Sequence, residues 1–313
     1  MSLGWVLRQW LQQQARAGVR NAVSQAAQAG RAGQANQAGP ASGDGAADSP
    51  PPPCDVGLVF ALPQESGAFV DLLSGVVTTK GRGFTVRSGV LADRQIVVVE
   101  AGAGREAAAR GTHALIGGHR PLWVISAGFA GGLHADLQRG DFVLADEIDD
   151  ISGRRLSIDL KAEPDPRARV RVGRLLTVDQ LVRGGDEKQA LGEKHGALAV
   201  DMESWAVGDV CRQDKVRFLA VRVISDSIVD ELPEELDSLI SQKTTAGRLG
   251  AAAGIIFRRP SSVKDMWRLK EQAMESADRL AGYLRQITER LPPRERPPTE
   301  VAPAPNAAPG GAP

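Results

Sequence analysis

The residues best placed to do chemistry in this sequence are Ser225 and Asp226, which end a long apolar run. The run from Phe218 to Ile224 is rich in β-branched residues, which is typical of a strand covered on both faces. In such sheets, ligands bind just beyond the carboxyl ends of the strands. A carboxyl group there is partly desolvated and therefore holds its proton more tightly. Asp226 is thus predicted to be a general acid.

Four predicted strands, including the one before Asp226, end in small or acidic residues. Glycine at a strand end lets the backbone approach a ligand closely and offer N–H groups, although tight turns use it as well. Four such ends on one edge of a sheet predict a single ligand pocket. The four segments are Leu62–Glu65, Ala101–Arg105, Ala127–Gly132 and Ser225–Asp226.

The turn GAGREA (102–107) resembles the phosphate-binding fingerprint of dinucleotide-dependent enzymes. That fingerprint requires an acidic residue about 20 residues further on, where it binds a ribose hydroxyl. No Asp or Glu occurs between Ala107 and Ala135. We therefore expect no nicotinamide or flavin, and no other cofactor.

A second pair of carboxylates, Asp201 and Glu203, lies at a predicted strand-to-helix turn. Asp201 is expected to cap the helix, because the first N–H groups of a helix lack partners within it. Glu203 could either complement the helix dipole or bind a ligand.

The elements that must position these residues alternate between strands and helices, which is typical of an α/β domain with a mainly parallel or mixed sheet. The predicted strands lie near residues 56–61, 84–90, 95–100, 122–127, 141–146, 175–178, 197–200 and 217–224. The predicted helices lie near 64–73, 104–117, 186–194, 202–213, 245–257 and 262–290. The last helix carries an apolar stripe that should pack on the sheet or on a partner chain: Met266, Leu269, Ala273, Leu280, Leu284, Ile287 and Leu291.

Composition divides the chain into three regions. Residues 1–53 are an Ala-, Gln-, Gly- and Pro-rich arm and linker, residues 54–291 form the predicted α/β domain, and residues 292–313 are a Pro-, Ala- and Gly-rich tail. A tail of that composition is expected to be disordered, because it has too little apolar surface to bury.

The overall charge and the cysteine and histidine content exclude several classes of function. The formal net charge of zero gives no sign of a nucleic-acid partner. The two cysteines, Cys54 and Cys211, have no zinc or redox spacing and indicate a reducing compartment, so a cytoplasmic location is expected. The four histidines are scattered, and no metal is expected.

Three motifs, AGFAGGL (127–133), AVDMES (199–204) and VRVISD (221–226), together resemble the purine nucleoside phosphorylase/nucleosidase superfamily. The resemblance covers about residues 55–257. It is strongest to methylthioadenosine/S-adenosylhomocysteine nucleosidases, which serve methionine salvage, and to hopanoid-associated phosphorylases. It implies a single-domain three-layer α/β sandwich with a mixed central sheet. It also implies a homo-oligomeric enzyme, a dimer or larger, that cleaves the bond between an adenine and a ribose.

The resemblance assigns the catalytic roles to three residues. Asp226 would protonate N7 of the purine, Glu65 would orient the attacking water, and Arg222 would lie beside that water. An ionised Glu203 would bind the ribose hydroxyls and favour the positive charge that develops on the sugar. The other expected substrate-binding residues are Met202, Ser225, Val182, Ala130, Gly131 and Phe129.

The sequence departs from the nucleosidase pattern at the edges of the expected pocket. Phe129 stands where the nucleosidases carry a serine, and Leu181 replaces an aromatic residue that stacks on adenine. The segment between Asp141 and Thr177 is shorter than in the nucleosidases, which would leave the 5′ side of the substrate open. A lipid-linked adenosine, the substrate of the hopanoid-associated branch, would fit such an opening.

Three functional hypotheses remain open from the sequence. Hydrolysis is favoured, because the Glu65 carboxylate would repel phosphate. Phosphorolysis of a lipid-linked adenosine is the first alternative, with phosphate as co-substrate and Arg82 or Arg105 as its ligand. The second alternative is a purine-binding sensor without catalytic activity, although retention of the acidic residues argues against it.

The N-terminal arm, residues 1–29, leaves two hypotheses open. Leu3, Val6, Leu7 and Trp10 follow a helical stripe, and arginines supply the polar side, a pattern that suits a peripheral contact with membranes. A weakly helical tail or a partner-docking segment is the favoured alternative. If the arm binds membranes, the full-length protein will sediment with anionic liposomes more than a version that starts at Cys54. Equal recovery of both forms in the supernatant would contradict the membrane contact.

Overall fold

The computed structural model describes residues 53–159, 162–230, 262–292 and 294. Within the segment 262–292, side chains are described from residue 271 onward. The helices are α1 (Pro63–Val70), α2 (Arg105–His119), α3 (Gly185–His195), α4 (Ser204–Gln213) and α5 (Ser262–Arg290). The strands are β1 (Val56–Phe60), β2 (Ser74–Lys80), β3 (Thr85–Leu91), β4 (Arg94–Glu100), β5 (Trp123–Gly132), β6 (Phe142–Asp150), β7 (Arg155–Ser157), β8 (Val170–Thr177), β9 (Ala199–Asp201) and β10 (Arg217–Asp226).

Four parallel strands form the centre of the sheet, in the order β10, β5, β1 and β4. Beyond β4, the antiparallel strands β3 and β2 extend the sheet to an edge. On the other side, β6 pairs antiparallel with β10, and β8 pairs parallel with β6. The short strand β9 pairs parallel with β8 and antiparallel with β5, so β5, β10, β6, β8 and β9 form a closed ring of paired strands. The mixed sheet expected from the sequence is therefore confirmed.

Helices cover both faces of the central strands, because alternate residues of a strand point to opposite sides. On one face, Val56 and Phe60 of β1 cluster with Leu284 of α5, and α1 joins the same cluster. On the other face, Val59 packs in a cluster with Leu115 of α2, and α4 contributes to it. The result is the predicted three-layer α/β sandwich.

Most predicted elements occur within a few residues of their expected positions, but the sequence analysis missed β2 and β7. Every residue of β2 is exposed, so the strand lacks the alternation of apolar and polar residues that marks a half-buried strand. β7 has three residues and is too short to show a pattern. The predicted helix at 245–257 and the N-terminal arm lie outside the described residues.

The long helix α5 packs on the sheet through the second half of its apolar stripe. Leu280 and Leu284 are fully buried, and Ile287 and Leu291 lie against the same cluster. Cys211 is buried in the cluster on the opposite face of the sheet, as expected for a small core residue. Among the helices described, none has the length and apolar character needed to cross a bilayer.

The packing of α5 predicts a large effect of one substitution on stability. Leu284→Ala removes a fully buried side chain and should lower the free energy of unfolding by about 2–5 kcal/mol. Met274→Ala is the matched control on the same helix, because Met274 is 59% exposed. Thermal unfolding followed by circular dichroism measures both. Similar melting temperatures for the two variants would contradict the packing described here.

Candidate active site

The carboxyl ends of the four central strands meet at one edge of the sheet, as the sequence predicted. Phe60 at the end of β1 lies beside Glu100 at the end of β4. Asp226 at the end of β10 lies beside Gly131 of β5. Because the four strands are parallel and adjacent, the turns that follow them surround a common space.

Glu65 is held in this space by backbone N–H groups from two strand ends. Its Oε2 accepts from Ala61 N–H at 3.0 Å and Leu62 N–H at 2.8 Å, and its Oε1 accepts from Phe129 N–H at 2.9 Å. A Cβ atom on Gly128 would lie 2.7 Å from Oε1, so only glycine permits this approach. Burial raises the pKa of Glu65, and the three N–H groups oppose that effect.

Glu203 lies at the start of α4 and faces the turn before α2. Its Oε1 accepts from Gly104 N–H at 2.7 Å. Burial, together with the nearby charges of Asp201 and Glu65, raises the pKa of Glu203 to about 8. This shift favours the protonated form of the carboxyl group near neutral pH, whereas the ionised form is the one expected from the sequence. A positively charged ligand would favour the ionised form, because opposite charges stabilise each other.

Arg222 is buried and its guanidinium bonds to protein groups on three other elements. Nε and a terminal nitrogen donate to Asp201 Oδ2 at 2.9 and 2.6 Å. The same terminal nitrogen lies 2.8 Å from the hydroxyls of Ser126 and Ser204. The Arg222 charge lowers the pKa of Glu65 and of Glu203, although these two carboxyl groups remain above their ordinary values. Arg222 thus lowers the pKa of the two glutamates through its charge.

Asp201 binds the start of α4, as expected of a capping side chain, although the N-cap residue of that helix is Glu203. Its Oδ2 accepts from the backbone N–H of Ser204, the first residue of α4, at 3.0 Å. Its Oδ1 accepts from the Thr177 hydroxyl at 2.7 Å. The same carboxylate therefore starts the helix that carries Glu203 and balances the charge of Arg222.

Asp226 is 5% exposed and accepts hydrogen bonds at both oxygens. The Ser225 hydroxyl donates to Oδ1 at 2.6 Å, which agrees with the expected pairing of these two residues. Lys188 Nζ donates to Oδ2 at 2.7 Å, and the sequence analysis did not identify this residue. A Cβ atom on Gly131 would lie 3.2 Å from Oδ2, so the glycine lets β5 pass close to the acid.

Of the remaining expected substrate-binding residues, Val182 follows β8 and Met202 follows β9, whereas Phe129 and Ala130 lie on β5. Val182 and Met202 pack together in one apolar cluster, with Val182 buried and Met202 partly buried. Ala130 is buried on β5, and Phe129 contributes its backbone N–H to Glu65. Their contacts with a substrate stay predictions.

The two arginines considered as phosphate ligands have different surroundings. Arg105 donates to the Thr177 carbonyl at 2.7 Å and forms ion pairs with Asp150 and Asp179 at 3.1 and 2.5 Å. These contacts fix the start of α2 beside Gly104. Arg82 is exposed in the loop between β2 and β3. In the part of the chain that the structure describes, no three His, Cys, Asp or Glu residues form a metal site.

Comparison with known families assigns the chain to a class of enzymes. The model of the phosphorylase superfamily matches residues 55–167 and 154–259. These segments contain the four strand ends and the acidic residues described above. The chain belongs to the phosphorylase superfamily.

Individual relatives within that superfamily are nucleosidases. The chain is 30% identical over 211 residues to the 5′-methylthioadenosine/S-adenosylhomocysteine nucleosidase of Aeromonas salmonicida, a match that covers 59% of this chain and 91% of the relative. It is 26% identical over 210 residues to the same type of enzyme from Tolumonas auensis, with coverage of 59% and 91%.

Solved nucleosidase structures share the fold. The Neisseria meningitidis enzyme in complex with methylthio-immucillin-A has a TM-score of 0.54 and 22% identity, over 74% of this chain and 99% of that chain. The Streptococcus pyogenes enzyme in complex with 5-methylthiotubericidin has a TM-score of 0.56 and 20% identity, over 77% and 98%. At such identities the comparison concerns the fold alone.

The raised pKa of Glu203 predicts a stability that depends on pH. A carboxyl group with a pKa of about 8 in the folded protein and 4.5 ordinarily binds its proton more tightly when folded. The contribution of Glu203 to the free energy of unfolding is therefore complete below about pH 4.5. It falls as the pH rises toward 8, by up to about 1.4 kcal/mol per pH unit. Glu203→Gln removes this loss, so the variant should gain in melting temperature over the parent between about pH 5 and pH 8.5.

The matched control is Glu106→Gln, because the Glu106 side chain is 97% exposed. Its melting temperature should follow that of the parent at every pH. A constant difference between Glu203→Gln and the parent over the whole range would contradict the assignment.

Proposed function

We propose that the chain hydrolyses the N-ribosidic bond of an adenine nucleoside and releases adenine. Two kinds of evidence support this proposal: the similarity to methylthioadenosine/S-adenosylhomocysteine nucleosidases, and the carboxyl groups of Glu65, Glu203 and Asp226, each at or just after the end of a strand of the sheet. The observation that favours hydrolysis over phosphorolysis is the position of Glu65, which three backbone N–H groups hold in place.

The position of Glu65 favours water over phosphate as the nucleophile. Three backbone N–H groups orient its carboxylate, and Gly128 lets that carboxylate lie directly against β5. A water bonded to this group can lose a proton to it as the water attacks the sugar. A phosphate ion in the same place would be repelled. Arg105, the half-buried candidate for binding phosphate, is already paired with Asp150 and Asp179.

Asp226 is placed to assist departure of the base. Adenine is a poor leaving group as an anion, so protonation of N7 lowers the barrier to breaking the bond. General acid catalysis of this kind typically contributes about 10²- to 10⁴-fold. Ser225 fixes one oxygen of the Asp226 carboxyl group, which restricts the directions in which a proton can be passed.

Glu203 is placed to respond to the charge that develops on the ribose. In the ligand-free site its pKa of about 8 keeps it protonated near pH 7. Glu203 gives its proton to solvent before the substrate closes the site, and the carboxylate then stabilises the positively charged sugar in the transition state more than in the ground state. Met202, its neighbour in the chain, would lie against the same sugar.

We propose further that the substrate carries a modified 5′ group and that the chain acts as a homo-oligomer. A purine sensor without catalysis is less compatible with the site. Burying several carboxyl groups is costly, and binding alone has no need of acids held at both sides of a sugar. Phosphorolysis of a lipid-linked adenosine is the competing activity that the experiment below distinguishes.

Incubation of the protein with 5′-methylthioadenosine in H₂¹⁸O, with and without inorganic phosphate, tests the reaction type. We expect adenine release under both conditions and ¹⁸O at C1 of the sugar product by mass spectrometry. A sugar 1-phosphate, with release that depends on phosphate, would contradict hydrolysis.

The role of Glu65 is tested in the same assay with Glu65→Gln. The amide cannot take a proton from the attacking water, so kcat should fall by about 10²-fold or more. Gln64→Ala is the control, because Gln64 is exposed beside Glu65 in the chain. A loss of the same size in both variants would indicate a disturbed turn instead of a lost base.

A further inference from the structure

Lys188 is a fully buried cation beside the proposed general acid. It lies in the first turn of α3, and its side chain has no exposed surface. The ammonium contacts Asp226 Oδ2 at 2.7 Å, the Ser227 carbonyl at 2.9 Å and the Asp230 carbonyl at 3.2 Å. Since an ammonium has three donors, these contacts use all of them.

The position of Lys188 is unfavourable unless Asp226 compensates for it. A lysine loses its hydration when it is buried. A cation in the first turn of a helix is also opposed by the helix dipole, whose positive end lies there. The closest compensating charge is the Asp226 carboxylate, and together the two groups form a buried ion pair.

The other charges near this pair are engaged elsewhere. The Asp230 carboxylate accepts from the backbone N–H and the hydroxyl of Ser227, both at 2.8 Å. It also lies 3.4 Å from a guanidinium nitrogen of Arg139. Within the described residues, Asp226 is thus the carboxylate that shares a hydrogen bond with the ammonium.

An ion pair at this place has a direct consequence for the proposed reaction. A general acid must carry a proton, and the Lys188 ammonium holds protons 2.7 Å from Asp226 Oδ2. Two groups that bear protons contact the Asp226 carboxylate, the Lys188 ammonium and the Ser225 hydroxyl. The ammonium is by far the stronger acid of the two.

We propose that Lys188 supplies the proton that Asp226 passes to the leaving purine. This inference rests on the proposed nucleosidase function. A bound nucleoside covers the pocket and excludes water, which disfavours charged groups and favours the neutral pair of amine and carboxylic acid.

The proposed transfer balances in protons and charge. A Lys188 N–H bond breaks as an O–H bond forms on Asp226, and the Asp226 O–H bond breaks as N7–H forms on the purine. The electrons of the C1′–N9 bond leave with the purine, so the positive charge moves from the lysine to the sugar. Water then attacks C1′ and gives a proton to Glu65. After adenine leaves, Glu65 releases that proton to solvent and the Lys188 amine recovers one from solvent.

Two substrates that differ only in the leaving group test this role. Departure of adenine from 5′-methylthioadenosine requires protonation, whereas 4-nitrophenolate leaves the matching 4-nitrophenyl 5-methylthioriboside without it. Lys188→Met should lower kcat for the nucleoside by about 10²-fold at pH 8 and change kcat for the nitrophenyl compound by less than about 3-fold.

Lys188→Arg separates proton supply from charge balance. Arginine keeps the positive charge but does not give up a proton in proteins. The variant should therefore retain activity on the nitrophenyl compound and remain defective with the nucleoside. Glu187→Gln, an exposed neighbour on α3, is the control for both variants and should match the parent.

Several outcomes would overturn the inference. Equal losses with both substrates in Lys188→Met would indicate a structural role, and unchanged activity with both would indicate no role. Full rescue of nucleoside cleavage by Lys188→Arg would indicate charge balance without proton transfer. If the parent cleaves the nitrophenyl compound but not the nucleoside, the proposed function itself fails, which is distinguishable from failure of the Lys188 role.

Discussion

The site depends on one buried ion pair, between Arg222 of β10 and Asp201 at the end of β9. Arg222 is 2% exposed and also bonds to hydroxyls on β5 and α4, so a single guanidinium joins four elements. Removing one member of such a pair typically costs about 3–5 kcal/mol, because the other charge is left buried without a partner. The same Asp201 carboxylate starts α4 and thereby positions Glu203. The Arg222–Asp201 pair therefore affects both the position of Glu203 and the charge around it.

Burial, more than charge, raises the pKa of the two glutamates of the site. The charges of Asp201 and Glu65 add to that effect at Glu203, and the charge of Arg222 opposes it at both glutamates. The Lys188–Asp226 pair at the end of β10 is neutral as a whole. A pocket with these properties is suited to a reaction in which charge appears on a sugar and disappears again.

Much of this arrangement could be predicted from sequence, since strand ends and parallel pairing follow from local patterns. Asp226 could be proposed from the sequence because it ends a buried apolar run, and Glu65 because the segment ALPQE matches the family that the chain resembles. Lys188 could not be identified from the sequence, because it lies in the charged first turn of α3, a pattern typical of a solvent-exposed surface. Its partner Asp226 is also 38 residues away in the chain. The raised pKa of Glu203 also escaped prediction, since it depends on burial first and then on carboxyl groups that the fold brings together. The exposed strand β2 carried no periodic signal at all.

The claim on which the account depends is that Asp226 passes a proton to N7 of a departing adenine. Asp226→Asn keeps the shape of the side chain and removes its acidity, so it separates chemistry from binding. We predict that the turnover number for 5′-methylthioadenosine falls by about 10²- to 10⁴-fold. The dissociation constant measured by calorimetry should change little. Turnover by Asp226→Asn comparable to that of the parent enzyme would contradict the account.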